Sequence, residues 1–350
     1  GRVREGSLID CSTVASPERF SGLSATSIIT FDLAEGLAPV ASFGLASDAQ
    51  TAYASHDAMY VATQQWHQWN DPMLDVDLMT TTIHRFDTSD AGALTFTGSG
   101  EVPGWLYSQW ALSEDDEGRL RAASTTAPPW GARPGQTQSV VSVLEQRDDR
   151  LEVVGSVGGL GFDEQIYAVR FIGDLGYVVT FRQVDPLYVI DLSDPRSPEV
   201  AGAVKIPGYS AYLHPVGDGL LVGVGQDADL GGRVKGTQVA LFDVSDPQDP
   251  IQIDKITYPN AYSAVEWDHR AFLYWAPTST LLIPMQGPTM SGAVALTATP
   301  EGIVEAAQIT QRGYVLRNLV VGDRLLTLSD AAITEVRLGT FQELSVIDLG

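Results

Sequence analysis

Five histidines, His56, His67, His84, His214 and His269, are the side chains through which this 350-residue chain could exchange protons or bind a transition metal near neutral pH. Three of them, His56, His214 and His269, stand at matching points of similar apolar segments. Asp268 precedes His269, so a carboxylate is placed where it could orient an imidazole. Arg170, Glu266 and Arg317 fall at or beside equivalent offsets, and with His214 and Asp268 they could form a polar ring that takes a small anionic or polar group. The alternative is that these side chains only tie neighbouring structural units together. Recognised catalytic signatures are absent: there is no GxSxG, P-loop, HExxH or CxxC, and no serine or cysteine nucleophile accompanies Asp268 and His269 at a known spacing. The stretch GSGEVPG (98–104) has the glycine content of a phosphate loop, but it links two strands with no helix to supply a positive dipole, so it reads as a turn.

Two acidic segments could approach a hard cation. QDADLGG offers Asp227 and Asp229, and NDPMLDVDL offers Asp71, Asp75 and Asp77. Calcium takes six to eight oxygens, so either segment supplies only part of a site, and both also read as solvated turns. A single cysteine and scattered histidines cannot close a nitrogen and sulfur tetrahedron, so any bound metal is expected to be calcium-like rather than zinc-like. Cys11 has no partner for a disulfide within the chain; it is expected to be a buried or unpaired structural thiol, or to pair with a cysteine upstream. The inserts 64–79 and 125–138 carry Trp66, Trp69 and Trp130, rings that suit either a binding loop or a cover over an edge.

The elements that must hold these residues repeat. A tyrosine opens an apolar segment at Tyr53, Tyr107, Tyr167, Tyr209, Tyr262 and Tyr314. Each is followed by a tight turn, a second apolar run, a third such as PLYVIDLSDP or TQVALFDVSDP, and a shorter alternating run such as EVAGAVKIPG. Alternation with β-branched enrichment means strands, and no segment of helical length has a 3.6-residue period. Gly-Asp and Asp-Gly at the first turns tolerate the positive φ that hairpins require. In SDP the Asp bonds its own backbone while Pro fixes φ.

Four strands per unit, repeated at intervals of this length, are the pattern of β-propeller blades. The expectation is an all-β single domain over 1–350. Residues 1–50 form a partial N-terminal blade, and six blades start near 51, 105, 165, 209, 262 and 314. The count suggests seven blades, with eight or an incomplete ring as the alternative.

Several stretches, SGEVPGWLYSQWALSEDDEGRLRAAST (98–124), the run from QIYAVRF to DLSDP (165–195), KIPGYSAYLHPVGDGLLVGVG (205–225) and the run from LFDVSDP to HRAFLY (241–274), resemble the secreted prokaryotic proteins whose C-terminal β-propeller domain is distantly related to WD40 repeats. The resemblance implies export, further sequence upstream and no assigned catalytic residues. The chain begins GRVREGSLID with no apolar leader, as a trimmed or mature chain would.

Composition narrows the partners. With 44 acidic and 21 basic residues the net charge is −23, which repels nucleic acid and anionic membrane. No run is long enough to span a bilayer as a helix. The expected function is a secreted or cell-surface binding scaffold for protein or glycan partners without catalysis, and the alternative is a hydrolase or lyase with its site at the channel mouth.

Overall fold

The turn chemistry of the sequence sets the strands. A computed structural model describes residues 9–17, 21–34, 36, 39–65, 79–90, 92–126, 135, 137–181, 184–217, 219–229 and 231–350. Trp66, His67, Trp69, Asp71, Asp75, Asp77 and Trp130 lie outside the described residues. The chain groups into two compact units. The first holds Gly1–Ile166, Phe171–Asp174 and Leu192–Glu199, and the second holds Tyr167–Arg170, Leu175–Asp191 and Val200–Gly350.

The first unit opens with β1 (Val14–Ala15), β2 (Thr26–Phe31) and β3 (Pro39–Leu45), ordered β1-β3-β2. Thus β1 joins the two N-terminal strands read from the sequence by pairing parallel to β3. Cys11, just before it, is a free thiol and exposed, so of the expected alternatives it is unpaired rather than buried. Two antiparallel meanders follow. One is β4 (Ala49–Ala54), β5 (Ala58–Gln64), β6 (Thr80–Asp87) and β7 (Thr95–Pro103); the other is β8 (Leu112–Glu114), β9 (Leu120–Thr125), β10 (Ser139–Arg147) and β11 (Arg150–Leu160). Their last strands touch through one parallel pair, Ser99 with Arg150.

Four more meanders complete the described sheets: β12 (Gln165–Ile172), β13 (Leu175–Phe181), β14 (Val184–Asp191) and β15 (Glu199–Pro207); β16 (Tyr209–Gly217), β17 (Leu220–Ala228), β18 (Val234–Asp243) and β19 (Ile251–Pro259); β20 (Leu273–Trp275), β21 (Thr280–Gln286), β22 (Ser291–Thr299) and β23 (Gly302–Thr310); β24 (Val315–Val321), β25 (Arg324–Ser329), β26 (Ala332–Arg337) and β27 (Glu343–Asp348). Middle strands are buried on both faces, which is why β17, LLVGVGQDA, is buried along its length. Last strands alternate or lie open, as in the fully exposed β27.

Gly173 (φ 53°) and Gly322 (φ 62°) begin the two-residue turns before β13 and β25, where a positive φ matches the twist of the hairpin. Asp194 and Asp246 accept the backbone N–H two residues on, from Arg196 and Gln248, each at 2.9 Å. These Asp-Pro turns also meet neighbouring sheets. Gly155 on β11 lies against the Pro195 carbonyl, and Gly202 on β15 against that of Pro247, too close in both places for a Cβ.

Candidate functional site

Within the second unit, Tyr167 and Tyr209 lie at the heads of β12 and β16, Tyr314 directly precedes β24, and Tyr262 bridges to Gln286 ahead of β20; their rings gather in two groups. Tyr167 and Tyr209 lie 4.7 Å apart between centroids, with Phe181 4.8 Å from Tyr209. Tyr262 stands 6.1 Å from Trp267, and the neighbouring Tyr314 phenol pushes its pKa up. This second group is open to water: Trp267 is 67% exposed, Tyr314 55% and Tyr262 38%.

Deeper along the same strands is a polar cluster. The Tyr212 hydroxyl on β16 lies 3.0 Å from His214 Nδ1, and the Tyr212 ring stacks on His269 at 6.3 Å. Phe272 and Tyr274 flank His214 at 4.8 and 5.6 Å. Burial, reinforced by the Arg170 charge, pulls His214 down to about 4, so its imidazole is neutral at physiological pH. His269 is also lowered, first by burial; the charges of Arg270, Asp268, Arg170 and Arg317 all act on it. Arg317 Nη1 donates to Asp268 Oδ2 at 2.8 Å, and Asp268 caps the short 3-10 helix His269–Ala271 by accepting from the Arg270 N–H. Burial holds the Arg170 guanidinium below its ordinary range.

Of the side chains read from the sequence, Arg170, His214, Asp268, His269 and Arg317 are therefore drawn around Tyr212 and His269. Glu266 is turned elsewhere. With Ser263 it forms a capping box on the 3-10 helix Ala264–Glu266, accepting from the Ser263 N–H and the Gln226 side chain, and burial raises its pKa. The pattern Ser263-Ala-Val-Glu266 carried that signal in the sequence. His56 stands in the exposed turn between β4 and β5 beside Asp57. Trp267 and Arg270 escaped the sequence reading, whereas Tyr212 stands three residues after Tyr209, in the same slot as Arg170 and Arg317. The longer stretch between Tyr262 and the second run of its unit, compared with other units, was the available sign.

Asp227 and Asp229 are engaged separately. Asp227, buried at the end of β17, accepts from Lys255 Nζ at 2.8 Å and lies 4.0 Å from Lys235 Nζ, so two of the chain's three lysines neutralise it. Asp229 closes its own turn by accepting from the N–H groups of Gly231 and Arg233. Among the described residues, no three His, Cys, Asp or Glu side chains converge as metal ligands.

The first unit contains a cavity of about 680 Å³ lined by His84, Phe96, Glu101 and Glu152 among others. His84 is buried between the Thr63 and Ser99 hydroxyls, at 3.1 and 2.7 Å, and burial lowers it to about 4.

Repeated four-stranded antiparallel sheets, with no long helix among the described residues, define a protein of the β-propeller class. The chain belongs to the beta propeller domain family, whose model matches residues 2–341. It is 37% identical over 231 residues to an uncharacterized protein of Methanocaldococcus jannaschii, covering 66% of this chain and 35% of that one. It is 40% identical over 187 residues to an uncharacterized protein of Archaeoglobus fulgidus, covering 53% and 27%. The matched part thus spans about a third or less of the length of these relatives. Among solved structures it is similar to the periplasmic gluconolactonase PpgL of Pseudomonas aeruginosa, with a TM-score of 0.54, 15% identity and 91% of each chain covered. A protein from Lactobacillus plantarum gives a TM-score of 0.50 at 12% identity, with 86% and 84% covered. Likeness at these identities speaks for the fold alone.

Proposed function

We propose that this protein is a non-catalytic recognition module, a secreted or cell-surface propeller of WD40-like kind that binds a protein or glycan partner. The observation that supports this reading is the exposed group of Tyr262, Trp267 and Tyr314 at the strand heads. Large rings left in water on a rigid scaffold add little to the core, yet dominate affinity once a partner covers them. The excess of carboxylates disfavours nucleic acid as that partner. Glycan and peptide arrays probed with the protein test the reading. Trp267→Ala is expected to weaken the captured interaction by about tenfold or more, with the melting temperature unchanged. Lower stability with binding intact would overturn it.

An enzymatic reading, as a hydrolase or lyase at the same strand ends, draws on His214. Its Nδ1 lies 3.0 Å from the Tyr212 hydroxyl, a geometry for proton exchange, while burial and the Arg170 charge keep the imidazole a weak base. Turnover of ester, lactone or uronide substrates that disappears in His214→Ala would favour this alternative.

A further inference from the structure

The geometry points to a ligand class for the exposed aromatic group: Tyr262, Trp267 and Tyr314, with Arg270 and Arg317 beside them, bind a carboxylated sugar such as a uronate within a glycan chain. This rests on the recognition reading and narrows it.

The first ground is local charge. The chain carries 44 acids against 21 bases, yet Arg170, Arg270 and Arg317 gather about His269 with Asp268 as the opposing carboxylate. The other acid of the segment, Glu266, faces Gln226 and the Ser263 N–H instead. A net positive locus on so acidic a chain attracts an anionic group that the rest of the surface repels.

The second ground is the free geometry of the donors. Both hydrogen bonds of the Arg317 guanidinium leave from Nη1, to Asp268 and to the Leu316 carbonyl, so Nε and Nη2 remain to bind among the described residues. Arg270 is exposed. A guanidinium offers a carboxylate two parallel N–H bonds, a geometry that lysine cannot copy.

The third ground is adjacency. Trp267 is the chain neighbour of Asp268, and its indole is the most exposed ring of the group. The C–H face of a pyranose packs on such a ring while its ring hydroxyls stay in water. An acidic peptide would satisfy the arginines and leave the rings bare; a sugar acid covers both.

Calorimetric titration of the protein with oligogalacturonate, a neutral gluco-oligosaccharide of equal length, acetate and an acidic peptide tests this. The uronate oligomer is expected to bind about tenfold or more tightly than the neutral one, with acetate and peptide weaker still. Arg270→Ala, at an exposed position, and Arg317→Lys, which keeps the charge on Asp268, are each expected to remove that preference. Trp267→Ala is expected to weaken both sugars. Equal binding of acidic and neutral sugars, or acetate or peptide binding as tightly as the uronate, would overturn the inference. If uronates fail while another ligand binds in a Trp267-dependent way, the sugar-acid inference falls and the recognition module stands. If Trp267→Ala leaves every captured ligand unaffected, both fall.

Discussion

His84 and His214 are bases that the fold keeps neutral, both lowered to about 4 by burial. An unfolded histidine titrates near 6.5, so between about pH 6.5 and 4 the unfolded chain binds more protons than the folded one. Their contribution is complete above the unfolded value and is lost as pH falls through that window, by on the order of 1–2 kcal/mol each at pH 5. Acidification also relieves the repulsion among 44 carboxylates, an effect of opposite sign. Urea midpoints at pH 7 and 5 should therefore be compared between the protein and His84→Gln. The variant is expected to lose less stability on acidification, and identical pH dependence would refute the buried neutral imidazole. Asp227 depends in turn on Lys255 at 2.8 Å. Lys255→Met strands a buried carboxylate and is expected to cost roughly 2–4 kcal/mol in chemical denaturation.

At the scale of elements, the Asp-Pro turn does two jobs. Asp194 and Asp246 shape it through bonds to Arg196 and Gln248, and the following prolines press their carbonyls onto Gly155 and Gly202 of another sheet. Gly202→Ala drives a Cβ into the Pro247 carbonyl, a backbone group that cannot rotate away, and is expected to cost about 1–3 kcal/mol. Gly158→Ala on β11, where no positive φ is required and an added Cβ meets only ordinary contacts at 3.5 Å, controls for glycine entropy. Equal effects at the two sites would show that the close approach is not what requires glycine at 202. The capping box of Ser263 and Glu266 illustrates the same coupling between turn and site. By fixing the short helix Ala264–Glu266, it sets where Trp267 and Asp268 emerge.

At the scale of the molecule, charge has the longest reach. A net charge of −23 on 350 residues stores self-repulsion that salt screens within a Debye length of about 10 Å at 0.1 M. The melting temperature is expected to rise between about 20 and 500 mM sodium chloride, by a few degrees. A fall over that range would mean that attractive ion pairs such as Arg317 with Asp268 outweigh the repulsion.

The sequence by itself determined the strands, their grouping in fours and the chemistry of the turns, because alternation, β-branched runs and Gly-Asp or Asp-Pro punctuation act over a few residues. The repeat tyrosines were legible for the same reason, as were Arg170, His214, Asp268, His269 and Arg317 as members of recurring slots. What only the tertiary structure decided was which members of those slots meet. Glu266 left the cluster for Gln226, forty residues away, and Asp227 was claimed by Lys255 from another strand. Cys11 came to the surface, and Trp267 was left in water beside Tyr262. Each outcome depends on packing between segments distant along the chain, where burial and the nearest available partner outweigh local preference.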